Sequence, residues 1–303
     1  MEKLDSFAKV RRAALDLAGY RLVVAEAQDD AVLEAVVMAK QQGMVEPILV
    51  GQPEAIKPIL KKLETSPDAF RIIPSSTPEE SARLAVQLVH EGEGDALLKG
   101  FLPTSTLMRE VLNRDYGLRT GQVMSHTMFY EVPGHPGFIV NTDGGMLTFP
   151  TLEQKRGILE NAAKLLKKLG YDKIYAACLA GSEQVDPKIE ASLDAAELAA
   201  EKERWAKLNM TVYGPVALDL AVSEEAVRHK HYEAEGAGKA DIILMPNFLV
   251  GNAFGKTLTY FAGADSAGLI NGAKVPIILV SRVDSAKIKL NSLALAALAA
   301  QVG

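Results

Sequence analysis

Cysteine is nearly absent: Cys178 is the only one in 303 residues. An internal disulfide is therefore impossible and no cysteine cluster offers a zinc site, which points to a reducing compartment, the cytoplasm. Long apolar runs are missing too. The longest, such as Leu293–Ala300, fall far short of the roughly 18 residues of a membrane span. The amino terminus, Met1 to Arg12, is charged throughout and has no apolar core of a signal peptide. Neither export nor membrane insertion is expected. Basic charge is not concentrated: Lys and Arg number 33 against 38 Asp and Glu, for a net charge of −5, and no stripe of positive residues faces a run of phosphates. Nucleic acid is therefore not an expected partner. No G-x-G-x-x-G occurs, so the dinucleotide fingerprint is absent.

What is present is an ordinary globular composition, 48% hydrophobic and 23% charged, long enough for two domains at about 150 residues each. Short runs rich in Val, Ile and Leu alternate with segments of helical period, and the runs are too continuous for half-exposed antiparallel strands. This is the pattern of an α/β protein. Strands are expected at 21–27, 47–50, 70–73, 95–98, 127–132, 138–141, 173–178, 211–213, 241–245 and 275–280. Asp29 or Asp30 can cap a helix that buries Val32, Val36 and Ala39 and stops at Gly43. The segment 130–137 holds two Pro and two Gly and reads as a lobe junction or hairpin. The helix after Pro150 repeats Ile158, Ala162, Leu165, Leu166 and Leu169 on one stripe. An Ala/Leu-rich helix over about 285–301 is expected to be buried against a lobe or a second subunit.

Several motifs invite chemistry. Residues 241–257 read as strand, glycine turn and helix, but Gly251 and Gly255 enclose three residues where a phosphate-wrapping loop needs four, which excludes a P-loop nucleotidase. Two readings stay open there: an anion held by N–H groups at a helix start beside Asn252 and Lys256, or glycines that serve close packing. His229 and His231, and Glu131 with His126 and His135, match no zinc spacing. Cys178 ends a strand without a basic neighbour and reads as a small buried hydrophobe. At 275–285 an apolar strand ends in Ser281, Arg282 and then Asp284. Ligands of open α/β sheets bind beyond the carboxyl ends of strands. There Arg282 offers a planar fork for phosphate or carboxylate, Ser281 a hydroxyl and Asp284 a base, or else Asp284 caps the last helix. A second strand end, Lys99-Gly100, leads to Thr104, Ser105, Thr106 and Arg109 at a helix start, an anion site or simply an N-cap.

Taken in order, Lys99-Gly100 with its Thr/Ser-rich helix to Arg109, Asp143-Gly-Gly-Met with Pro150, and Tyr213-Gly-Pro-Val-Ala-Leu-Asp219 form a familiar series. Gly251-Asn252 with Lys256, and Val275-Pro276 leading to Ser281-Arg282, complete it. Over most of its length the chain resembles the phosphate acetyl/butyryl transferase family. The resemblance implies an α/β, two-lobed fold like that of isocitrate and isopropylmalate dehydrogenases, with a cleft between the lobes. It also implies a C-terminal segment that returns to the first lobe. The expected domains are 1–130 with 274–303, and 131–273. The implied activity is that of a phosphotransacylase, an acyltransferase moving an acyl group between coenzyme A and inorganic phosphate, with acyl-CoA and acyl phosphate as the partner species. No cofactor beyond coenzyme A as substrate, and no metal, is required, and the resemblance fits a homo-oligomer, dimeric or higher.

By the same resemblance, Arg109 and the Ser281-Arg282 pair bind the phosphate or acyl phosphate; Thr106, Asn252, Lys256 and Tyr260 are the expected substrate-binding positions beside them. Two positions depart from the acetyl branch. Tyr260 stands where that branch has an Arg, and Ile288 where it has its catalytic Asp. Thr-Tyr-Phe-Ala together with Ser-Arg-x-Asp-Ser resembles the butyryl branch, so butyryl or a similar short or branched acyl group is the expected cargo, with an acetyl donor as the alternative. Asp284 is the expected acceptor of the thiol proton. The rivals are a metal-dependent 2-hydroxy acid dehydrogenase of the same fold, for which no Asp cluster or nicotinamide site is found, and a noncatalytic acyl-CoA sensor.

Overall fold

The computed structural model describes residues 2–17, 19–279 and 284–300. The chain forms two compact units, one of Phe7–Gln122 with Ala267–Gly303 and one of Met1–Ser6 with Val123–Ser266. The chain thus passes into the second unit at Val123 and out of it after Ser266, where the sequence placed these crossings at 131 and 273.

The first unit opens with α1 (Phe7–Leu15), β1 (Tyr20–Ala25), α2 (Asp30–Gln41), β2 (Val45–Gly51), α3 (Pro53–Lys62), β3 (Arg71–Pro74), α4 (Pro78–His90), β4 (Ala96–Lys99) and α5 (Thr104–Val111). Its strands are parallel, β1 between β2 and β4 and β3 outside β2. Helices on the faces explain the continuous apolar runs, because both sides of each inner strand are covered. Leu22 through Ala25 and Ala96 through Leu98 are wholly buried. Asp29 caps α2 by accepting from Val32 N at 2.9 Å, and Gly43, at φ 74°, follows its end as expected.

In the second unit β5 (Ser125–Glu131) and β6 (Phe138–Thr142) are antiparallel, so the Pro/Gly-rich segment at 130–137 is a hairpin rather than a junction between units. Then come α6 (Leu152–Lys168), β7 (Ile174–Leu179), α7 (Glu190–Ala200), α8 (Lys202–Ala206), β8 (Met210–Val216), α9 (Leu218–Val222), α10 (Glu224–His229), β9 (Ile242–Leu244) and α11 (Phe248–Phe261). The strands run β5-β6-β9-β7-β8, parallel from β6 onward. A reciprocal capping box of Thr151 and Gln154 starts α6, which buries the stripe read from the sequence.

The return segment adds β10 (Asp265–Asn271), β11 (Ile277–Ile278) and α12 (Ala286–Ala300). The strand β11 lies parallel to β4 and antiparallel to β10. The sequence does not reveal β10, whose Ser266 and Gly268 break up the apolar signal, although the stretch from Ser266 to Ile270 is buried. The last helix packs on α1 and α2 of its own unit. Among the described residues no helix is long and apolar enough to cross a membrane.

Candidate active site

In the first unit β4 and β11 are parallel neighbours, and each precedes a candidate segment in the sequence. One is the turn after β4. Gly100 N donates to Ala25 O at 2.8 Å and Phe101 N to Glu26 O at 2.7 Å, which draws the turn onto the end of β1. A Cβ at position 100 would lie 2.1 Å from Glu26 O, so only glycine fits this approach. The turn delivers Pro103 to the start of α5, and no side chain among the described residues caps that helix. Thr104 and Ser105 are exposed at its open end, whereas Thr106 is only 8% exposed and belongs to the buried face. Arg109, one turn beyond Ser105 on the same side, has a side chain 61% exposed and donates from Nε to Glu110 Oε1 at 3.3 Å. Glu110 also accepts from the Tyr116 hydroxyl at 2.5 Å.

The other segment follows β11. Ser281 and Arg282 lie outside the described residues. Asp284 is described, and the Lys289 ammonium donates to its backbone carbonyl. Burial pushes the Lys289 pKa down, against the pull of the Asp284 charge. Ser285 caps α12, its Oγ accepting from Ile288 N at 3.4 Å. The capping role left open for Asp284 is therefore filled by its neighbour.

Glu26 also sits at this end of the sheet and was not singled out in the sequence, although a carboxylate directly after the apolar run Leu22–Ala25 is a legible signal. It is buried, accepts from the Ser81 hydroxyl and from Gln28 Nε2 at 2.6 Å, and burial raises its pKa above the usual carboxylate range.

In the second unit the Asp143 segment forms a tight turn after β6. The buried carboxylate accepts four backbone N–H groups: Gly145 at 2.7 Å and Met146 at 2.8 Å on Oδ1, His126 at 3.0 Å and Leu147 at 3.3 Å on Oδ2. Its chemistry is spent on holding the turn. The turn lies against α11, where a Cβ on Gly251 would come within 2.7 Å of Gly144 Cα. Gly255 is pressed in the same way onto the Tyr130 hydroxyl. Both glycines thus sit inside a helix and serve close packing rather than forming the helix start. The true helix start is Asn247, whose side chain already accepts from Val250 N at 3.1 Å. Asn252, Lys256 and Tyr260 are spaced four apart and share one face of α11. Asn252 is half-buried and donates to Gly144 O at 3.4 Å, Lys256 is exposed, and Tyr260 is 68% and Phe261 88% exposed.

The sequence profile of the family described as Phosphate acetyl/butaryl transferase matches residues 8–83 and 74–297. The chain belongs to this family. It is an enzyme, a phosphate acyltransferase. It is 41% identical over 280 residues to phosphate butyryltransferase of Clostridium acetobutylicum, covering 92% of this chain and 93% of that one. It is 40% identical over 279 residues to phosphate acetyltransferase of Thermotoga maritima, covering 92% and 95%. Among solved structures, a branched-chain phosphotransacylase from Enterococcus faecalis superposes with a TM-score of 0.83 at 32% identity, covering 93% of this chain and 99% of that one.

For a phosphate acyltransferase the chemistry needs cations and hydroxyls for phosphate and a proton acceptor for a thiol. The lone Cys178 of this transferase contributes nothing of that kind. It is buried, and burial pushes its thiol up to about 12, so it stays protonated at neutral pH. His126 is likewise held neutral by burial, and its ring nitrogens have no hydrogen-bond partner among the described residues.

Proposed function

We propose that this phosphate acyltransferase moves a butyryl or similar short, branched acyl group between coenzyme A and inorganic phosphate. The observation that carries the acyl choice is the exposed aromatic pair Tyr260 and Phe261 at the end of α11, of which Tyr260 continues the face that bears Asn252 and Lys256. Apolar surface there favours a longer chain, since each buried methylene contributes about 0.8 kcal/mol. An acetyl group is the second reading, because identity to a phosphate acetyltransferase is 40%, level with the 41% to a butyryltransferase.

In the proposed mechanism the free thiol, with a pKa of roughly 8.5, loses its proton before it attacks the acyl phosphate carbonyl. Asp284 takes that proton. The new C–S bond forms as the C–O bond to phosphate breaks, and negative charge builds on the carbonyl oxygen and the leaving phosphate. Arg109 and Arg282 hold the phosphate, with the uncapped N–H groups of α5 beside Arg109, and Ser281 donates to the carbonyl or phosphate oxygen. Asn252, Lys256 and Tyr260 bind the substrates, while Thr106, expected among them, belongs to the buried face of α5. Nothing in this scheme calls for a cofactor or a metal. The reading takes the fold as the two-lobed isocitrate/isopropylmalate dehydrogenase type and the working enzyme as a cytoplasmic homo-oligomer. The test is thiol release from acetyl-, propionyl-, butyryl- and isobutyryl-CoA with phosphate. Butyryl or isobutyryl should lead in kcat/KM. A lead for acetyl moves the enzyme to the acetyl reading, and binding without turnover would refute the mechanism.

A further inference from the structure

The proposed mechanism leaves unused a charged residue at the carboxyl end of β4. Lys99 is 6% exposed, and its strand runs between β1 and β11, where an aliphatic side chain would be the ordinary occupant. Burying an ammonium is costly unless hydrogen bonds replace its water. Here Nζ donates to Gly100 O and Leu102 O, both at 3.2 Å. Those carbonyls belong to the turn that carries the chain from β4 to α5. The same turn sends its N–H groups the other way: Gly100 N and Phe101 N reach the end of β1, and Leu102 N closes on Gly100 O at 3.1 Å. The ammonium therefore gathers two carbonyls of a turn whose Gly100 and Phe101 N–H groups are tied to the end of the neighbouring strand. The next residue, Pro103, opens a helix that no side chain caps among the described residues, with Arg109 exposed one turn in.

We propose that Lys99 is a positioning residue for phosphate: by holding the Gly100 and Leu102 carbonyls it sets the turn that aims the first N–H groups of α5 and Arg109 at the anion. This rests on the reading that α5 and Arg109 bind phosphate. The charge matters because an ammonium binds two carbonyls more strongly than a neutral donor does. The side chain acts through the turn rather than on substrate, so its loss weakens phosphate binding selectively.

The test is steady-state kinetics of acyl-CoA with inorganic phosphate for Lys99→Met, Lys99→Gln and Arg109→Ala, with a thermal melt of each. Lys99→Met removes both hydrogen bonds to the turn, and the phosphate KM should rise about tenfold or more, the scale on which small misplacements in a site act, while the acyl-CoA KM stays near that of the wild type. Lys99→Gln keeps a two-hydrogen neutral donor and should recover part of the loss. An unchanged phosphate KM in folded Lys99→Met overturns the proposal, as do equal rises in both KM values. Failure of both Lys99 variants to fold overturns it too, since Lys99 would then be a residue of the core alone. Arg109→Ala separates the two levels. If it leaves the phosphate KM unchanged, the α5 reading has failed. If it raises that KM while the Lys99 variants do not, only the Lys99 proposal has failed.

Discussion

Replacing Asp143 by Asn keeps the size and shape of the side chain and changes only what it offers to hydrogen-bond donors. The carboxylate accepts from Gly145 and Met146 on one oxygen and from His126 and Leu147 on the other. An amide keeps one of those oxygens. If that oxygen stays with Gly145 and Met146, the NH2 group faces the His126 and Leu147 N–H groups, donor against donor, in a buried turn. A hydrogen bond to a charged group contributes about 1.5–3 kcal/mol, and the 3.3 Å contact from Leu147 lies at the weak end, so the loss comes to about 2–4 kcal/mol. For a domain of this size each kcal/mol moves the melting temperature by about 2–4 °C, which predicts a fall of about 5–15 °C for Asp143→Asn. Thermal unfolding followed by far-ultraviolet circular dichroism measures it. Asp143→Ala, which removes all four acceptor contacts and leaves a void, should melt lower still. A melting temperature for Asp143→Asn within about 2 °C of wild type would refute the view that this carboxylate holds the turn.

Other expectations follow from the first unit. Because Ser285 caps α12, Asp284→Asn should melt like the wild type but lose most of its kcat, with partial recovery as the pH rises past the thiol pKa of about 8.5; near-normal kcat at neutral pH would remove Asp284 from the reaction. Burial raises the Glu26 pKa above its unfolded value, so the native state holds the proton more tightly and stability falls as pH rises from 4.5 through the raised value. Glu26→Gln removes that titration, and its stability should change less between pH 4.5 and 7 than the wild type; an unchanged slope in urea midpoints over that range would count against the assignment.

How much was legible differs from residue to residue. The helix start at Asp29, the stop at Gly43 and the buried stripe of α6 are properties of neighbouring residues, and spacing displays them directly. The strand end at Lys99-Gly100 was visible for the same reason, as an apolar run that meets a charge and a glycine. The strand β10 was not visible, because its burial depends on Ser and Gly fitting between neighbours that are distant in sequence. Gly251 and Gly255 were ambiguous because a glycine in a sequence says that something comes close without saying what; the turn at Gly144 and the Tyr130 hydroxyl supply the answer. Thr106 looked equivalent to Thr104 and Ser105 until the helix was set on its unit and turned that hydroxyl inward.

The sequence by itself determined the α/β pattern and the family, whose motifs occur in order along the chain. These are set by local periodicity and by residue types at fixed spacing. Tertiary structure alone decided that Asp143 holds a turn, that Ser285 rather than Asp284 caps the last helix, and that Lys99 lies buried beneath the turn leading to α5. In each case the function of a polar group is set by the partner that folding brings within about 3 Å, and for Lys99 and Asp143 those partners are backbone atoms, which every residue carries and no side-chain pattern reveals.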